Sequence, residues 1–125
     1  GFSLDDARVR RAGLDYWPRV DPRVWDAWES LEPHIESLGE PVVFTAEATR
    51  EYWDFDYRRP VVLIFGRESV GLPRSIRDRW ADRRARFPIH DAGVRSLNLA
   101  NCAALATYEV LRQRRAPTPV RATDR

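Results

Sequence analysis

At 125 residues and 43% hydrophobic, the chain can bury one core of ordinary domain size, and its formal net charge of +2 marks neither a strongly basic nor an acidic protein. It has no apolar run near the roughly 18 residues of a membrane span and no signal-like start, so no membrane is expected and a cytoplasmic setting is. One cysteine, Cys102, and two distant histidines, His34 and His90, cannot assemble a metal cluster, so no metal is expected; Cys102 reads as a small core residue in a reducing compartment.

In chain order, Ser3 reads as an N-cap over a helix from Leu4 to Ala12, with Asp5 and Asp6 in its first turn and Gly13 as its stop. Tyr16-Trp17-Pro18 reads as a short edge or loop. Asp21-Pro22 makes a cap and first-turn pair for a helix through about Leu31, placing Val24, Trp28 and Leu31 on one buried face. Val42 to Thr45 is a strand, Glu47 to Tyr57 an aromatic and acidic connector, and Pro60 to Phe65 a central strand buried on both faces. Pro73 to about Arg83 is a helix, Arg86 to Ile89 a short strand, and Leu97 to Arg114 the final helix. The start of that helix is apolar nearly all round (Leu97, Leu99, Cys102, Ala103, Leu105, Ala106), which predicts enclosure by protein on most sides. From Ala116 onward, Pro117, Pro119 and scattered polar residues read as a flexible tail. No repeat or linker divides the chain, so a single α/β domain over residues 1–115 is expected, with 116–125 as the tail.

Two segments carry the functional signal: Phe65-Gly66-Arg67-Glu68-Ser69-Val70-Gly71-Leu72-Pro73 and Arg95-Ser96-Leu97-Asn98-Leu99-Ala100-Asn101. The first follows an apolar strand, so its loop leaves the carboxyl edge of a parallel sheet, where open α/β sheets bind ligands. Gly66 and Gly71 let backbone approach a ligand or adopt positive φ, Glu68 sets one carboxylate in the loop, and Pro73 can start a helix. Asn98 suits either a site role or a helix cap, and Asn101 a site role or the satisfaction of buried backbone. His90 and Asp91 are sequence neighbours whose side chains rarely face each other, so His90 reads as a loop residue.

These segments resemble motifs two and three of the SpoU branch of the SPOUT RNA methyltransferases. Three further stretches resemble the small TrmL-like members that 2'-O-methylate the wobble nucleotide of certain leucine tRNAs. They are Gly1 to Asp6 with Arg10 to Trp17, then Val42-Val43-Phe44-Thr45, then Tyr108 to Gln113. The resemblance runs in order from Gly1 to about Arg114. It implies an α/β fold, a parallel sheet with helices on both faces and a C-terminal trefoil knot, and a homodimer paired through the final helix. It implies S-adenosyl-L-methionine (SAM) as cofactor and tRNA as substrate, methylated on a ribose at position 34. Carried over residue by residue, Phe44, Thr45, Gly66, Phe87, Ile89, Ser96 and Leu97 would line the cofactor site, and Glu68 and Asn98 would organise the site and the substrate ribose. The family opens with a strand, an Asn-x-Gly-Asn motif, a helix bearing an Arg and a second strand. Gly1-Phe2 aligns just after these, so the sequence as given is expected to lack them and the motif-one Arg.

The chain departs from the pattern at Arg67, where motif two usually has Pro, and at Ala46-Glu47-Ala48, where Thr-Lys-Gly is usual; one extra residue lies between Ile89 and Ser96. All 21 basic residues are Arg, the better phosphate fork and aromatic-stacking partner, and Arg8, Arg10, Arg11, the cluster Arg74 to Arg86, Arg112, Arg114 and Arg115 are candidates for RNA phosphate. The alternative is a noncatalytic RNA-binding or assembly fragment of the same fold. A generic nucleotide-binding domain is disfavoured because no phosphate-loop or dinucleotide fingerprint is present.

Overall fold

The computed structural model describes residues 19–91 and 97–115. The expected helix from Leu4 to Ala12, the Tyr16-Trp17-Pro18 segment, Ser96 and the tail lie outside the described residues. The chain divides into two compact units, Gly1–Glu32 and Pro33–Arg125. In the first of these units Asp21 has φ 47°, in the left-handed region, so the chain turns there and Asp21 is not a helix cap. The first described helix, α1, is Trp28–Leu38 rather than a helix ending at Leu31, and Val24 is 75% exposed rather than buried. Pro33 lies inside α1, where it supplies no N–H to the Glu29 carbonyl one turn back.

Pro33–Arg125 holds the sheet. Gly39 ends α1, donating its N–H to the Ile35 carbonyl at 3.2 Å, and a Cβ there would sit 2.7 Å from backbone atoms of Pro60 and Val61. The turn thus packs backbone against backbone, and strand β1 (Glu40–Phe44) leaves it directly. β1 pairs in parallel with β2 (Val61–Ile64), Glu40 opposite Val61 and Val43 opposite Ile64, and in parallel with β3 (Arg84–Ala85), Val43 opposite Arg84. The order in this 3-stranded sheet is β2-β1-β3. Among the described residues β1 is therefore the central strand, and β2, expected to be central, is the outer strand on one side. Burial follows: Val42 and Val43 are fully buried, whereas Val61, Val62 and Leu63 are half-buried. The third strand falls earlier than Arg86 to Ile89. Arg84 and Ala85 take the ladder positions beside Val43 and Phe44, Arg86 makes only an isolated bridge to Glu51, and Phe87 to Ile89 run on beyond the sheet.

Helix α2 (Arg74–Arg79) starts after Pro73, whose carbonyl accepts from Ile76 and Arg77, and a 3-10 turn at Ala81–Arg83 leads into β3. The final helix, α3 (Leu99–Arg114), buries Cys102, Ala106 and Val110, four residues apart and hence on one face. Ala106 and Val110 join Val42, Phe44, Phe55, Tyr57 and Ala85 in one core cluster. The expected all-round enclosure of α3 is not observed: Leu105 is 44%, Tyr108 71% and Leu111 42% exposed. Ala85 and Ala106 are small, which permits close approach of strand and helix.

The far end of α3 is tied down by polar bonds. Gln113 donates to the Phe55 carbonyl at 2.9 Å and accepts from the Tyr57 N–H at 2.8 Å, while Arg114 donates to the carbonyls of Tyr57 and Arg59 at 2.9 and 2.7 Å. These bonds satisfy the backbone of the loop before β2, which no sheet ladder reaches.

Candidate active site

Because all described strands are parallel, β1, β2 and β3 end on the same edge, and Phe44-Thr45, Phe65-Gly66 and Arg86-Phe87 emerge there together. A cavity of about 650 Å³ opens at this edge. Its apolar floor is a run of rings: Phe44 stacks on Phe65 at 4.5 Å and on Phe87 at 5.2 Å, and Phe87 meets Tyr52 at 4.5 Å. Thr45 is held by its N–H to the Ala85 carbonyl at 2.9 Å, and its hydroxyl accepts from the Glu47 N–H at 3.3 Å.

The loop after β2 folds back on itself. Gly71 donates to the Arg67 carbonyl at 2.8 Å and has φ +67°, while a Cβ on Gly66 would lie 2.3 Å from the Gly71 carbonyl carbon. Gly71 is thus required by conformation, Gly66 by contact. Glu68 crosses from this loop to α3, its carboxylate accepting the Leu99 N–H at 3.3 Å. Asn98 caps the same helix, its side chain accepting the Asn101 N–H at 3.1 Å. Two free N–H groups of the first turn are so matched, one by the helix's own cap and one by the other motif.

Of the site residues expected from sequence, Phe44, Thr45, Gly66, Glu68, Phe87, Ile89 and Leu97 line the cavity together. Asn98 does not line it; the cap geometry is what the structure assigns to its side chain. The cavity also takes residues that sequence reasoning did not assign to the cofactor site: Phe65, named only as the start of its segment, Glu47 paired with Arg77 and Glu51 paired with Arg86 at 4.0 Å, whose arginines were read only as candidates for RNA phosphate, and Cys102. Phe65 was legible in principle, as the last apolar residue before Gly66. The ion pairs were not, since they join separate elements. His90 and Asp91, read as loop residues, also lie on the lining. Burial pushes the Cys102 thiol up, which keeps it protonated and weakly nucleophilic. Among the described residues no group of three or more His, Cys, Asp or Glu is placed to hold a metal, and no helix is long and apolar enough to cross a membrane.

Residues 1–108 match the model of the SpoU rRNA Methylase family. The chain belongs to that family. A tRNA (cytidine(34)-2'-O)-methyltransferase of Burkholderia ambifaria is 37% identical over 117 residues, covering 90% of this chain and 73% of that protein. A structure solved to study 2-OH methylation of C/U34 on tRNA superposes with a TM-score of 0.79 at 35% identity, covering 90% of this chain and 72% of the other. An AdoMet-bound rRNA methyltransferase from Sinorhizobium meliloti gives a TM-score of 0.60 at 31% identity, over 68% of this chain and 33% of that one. The parallel sheet with its helices is the SPOUT methyltransferase fold.

Proposed function

We propose that this chain transfers a methyl group from SAM to the ribose 2'-hydroxyl of the nucleotide at position 34 of tRNA, with leucine tRNAs as the substrate set. The observation that carries this reading is the tie between motifs: the motif-two carboxylate, Glu68, bonds the backbone of motif three at Leu99, on the rim of one cavity at the carboxyl edge of the sheet.

The cavity suits the cofactor. Its volume of about 650 Å³ and aromatic floor fit a nucleoside-sized ligand, and Gly66 lets the loop at its rim close on itself at Gly71 and Leu72. SAM, when bound, supplies an activated methyl on a sulfonium. The protein's part is to bind the nucleoside against Phe44, Phe65 and Phe87, with Thr45, Gly66, Ile89 and Leu97 bounding it, and to exclude water. Glu68 and Asn98 fix the start of α3 beside the cavity. Positioning of this kind matters because an alcohol is a poor nucleophile at neutral pH.

The exposed face of α3, with Leu105, Tyr108 and Leu111, supports a homodimer joined through this helix, in which a second copy covers apolar surface the monomer leaves in water. The test is incubation of the protein with labelled SAM and leucine tRNA transcripts. Label that appears in the tRNA, and is lost when the position-34 ribose is supplied already 2'-O-methylated, supports the reading. Binding of tRNA without transfer, in the presence of SAM, supports a noncatalytic RNA-binding protein instead.

A further inference from the structure

The cavity lining contains one ion pair with the makings of a recognition element. Arg77 reaches it from α2 and Glu47 from the turn after β1, and the two side chains pair there. The Arg77 side chain is only 20% exposed, against 44% for Arg86, the other cavity arginine with an acidic partner. Arg77 Nε is buried and has no hydrogen-bond partner among the described residues. A guanidinium offers five N–H donors and one carboxylate engages at most two of them well, so Arg77 retains donor capacity for a second anionic oxygen. Glu47 is the complement: its side chain is 65% exposed, and its backbone is held by the Thr45 hydroxyl, so the carboxylate is presented from a fixed turn with an open side.

A positive and a negative group side by side, next to an aromatic floor, match a ligand that joins a flat nucleoside to a zwitterion. We infer that Glu47 and Arg77 receive the amino-acid end of the cofactor, Arg77 taking the α-carboxylate and Glu47 the α-ammonium. The inference rests on the SAM reading given above and adds to it the residues that distinguish an adenosyl amino acid from other adenine nucleosides. Glu68 accepts the Leu99 N–H and is placed to position α3, and Arg67 is on the exposed part of its loop.

Calorimetry on the protein with three ligands tests it: S-adenosylhomocysteine, its decarboxylated analogue, and 5'-methylthioadenosine, which lacks the whole amino-acid end. The native protein should prefer S-adenosylhomocysteine to methylthioadenosine by about tenfold or more, the scale of one or two charge-assisted hydrogen bonds. Arg77→Gln should remove the advantage of the carboxylate, bringing S-adenosylhomocysteine down to its decarboxylated analogue, while methylthioadenosine stays within about twofold of its native affinity. Glu47→Gln, at an exposed side chain whose loss threatens the fold least, should weaken both amine-bearing ligands relative to methylthioadenosine. Retained methylthioadenosine binding shows that each variant is folded at the site. Parallel weakening of all three ligands in both variants, or unchanged S-adenosylhomocysteine affinity, overturns the assignment. Native protein that binds S-adenosylhomocysteine and methylthioadenosine equally well refutes the tail receptor and leaves the cofactor reading standing. Native protein that binds none of the three refutes both.

Discussion

Replacing Gly66 with alanine adds one methyl group at the tightest backbone crossing of the candidate site. The new Cβ would lie 2.3 Å from the carbonyl carbon of Gly71, 2.4 Å from the Leu72 nitrogen and 2.8 Å from the Gly71 Cα. Carbon pairs relax at about 3.5–4.0 Å, so the backbone at residues 71 and 72 must retreat by roughly 1 Å or more. No flexible side-chain end is there to give way. The retreat pulls on the Gly71 N–H to Arg67 bond of 2.8 Å and shifts Glu68 relative to α3. Overpacking of this kind costs about 1–3 kcal/mol. Thermal unfolding should show that loss, and calorimetry should show S-adenosylhomocysteine affinity down by about tenfold or more, beyond what stability alone explains. Gly71→Ala is the control: its Cβ meets open space, so the cost is only the left-handed backbone, about 1–2 kcal/mol, and Gly71→Asn should recover much of it. Gly66→Ala with native unfolding temperature and native affinity refutes the steric role of Gly66.

Glu68→Ala should lower stability by about 1 kcal/mol or less, because its bond to Leu99 is exposed, yet cut methyl transfer by about 100-fold or more; unfolding curves and single-turnover rates measured side by side check the split. Leu105→Arg and Tyr108→Glu, at exposed positions of α3, should convert a dimer into monomers in sedimentation velocity while leaving the circular dichroism spectrum unchanged. At alkaline pH the Tyr57 phenol contributes to stability. Desolvation by burial, with the nearby Glu109 charge adding to it, raises it well above its ordinary 10.0, so the unfolded chain releases this proton first. Stability conferred by the protonated phenol is therefore full below about pH 10 and falls as pH rises above it, and Tyr57→Phe should make that fall shallower in denaturant titrations.

Sequence was most informative where one physical cause decides the outcome. The apolar run at Val42 to Phe44 reads as a strand and is one, whereas the burial on both faces expected of Pro60 to Phe65 falls instead on Val42 and Val43; Gly66 to Pro73, coming straight after Phe65, leaves the carboxyl edge of a parallel sheet as expected. It failed where a distant partner decides. Asp21-Pro22 is a sound helix start in local terms, but Asp21 adopts φ 47°. Arg84 to Phe87 alternates charged and apolar residues throughout, and the ladder with Val43 and Phe44 selects its first two residues rather than its last. The apolar start of α3 reads as all-round burial, whereas the core accepts only Cys102, Ala106 and Val110 and leaves Leu105 to solvent. At the site, Glu68 and Asn98 were recognisable as the polar residues of their motifs. Their geometry was not: the Glu68 bond spans 31 positions of sequence, and the pairing of Glu47 with Arg77 joins a turn to a helix.

The central claim is methyl transfer to a single ribose, and mass spectrometry of nuclease-digested tRNA after reaction with SAM tests it most directly. A gain of one methyl on the nucleotide at position 34, located on the ribose because the released base is unmodified and the adjoining phosphodiester resists alkaline cleavage, is the predicted result. Methyl on the base, methyl at another position, or no incorporation with SAM bound and tRNA present would contradict it.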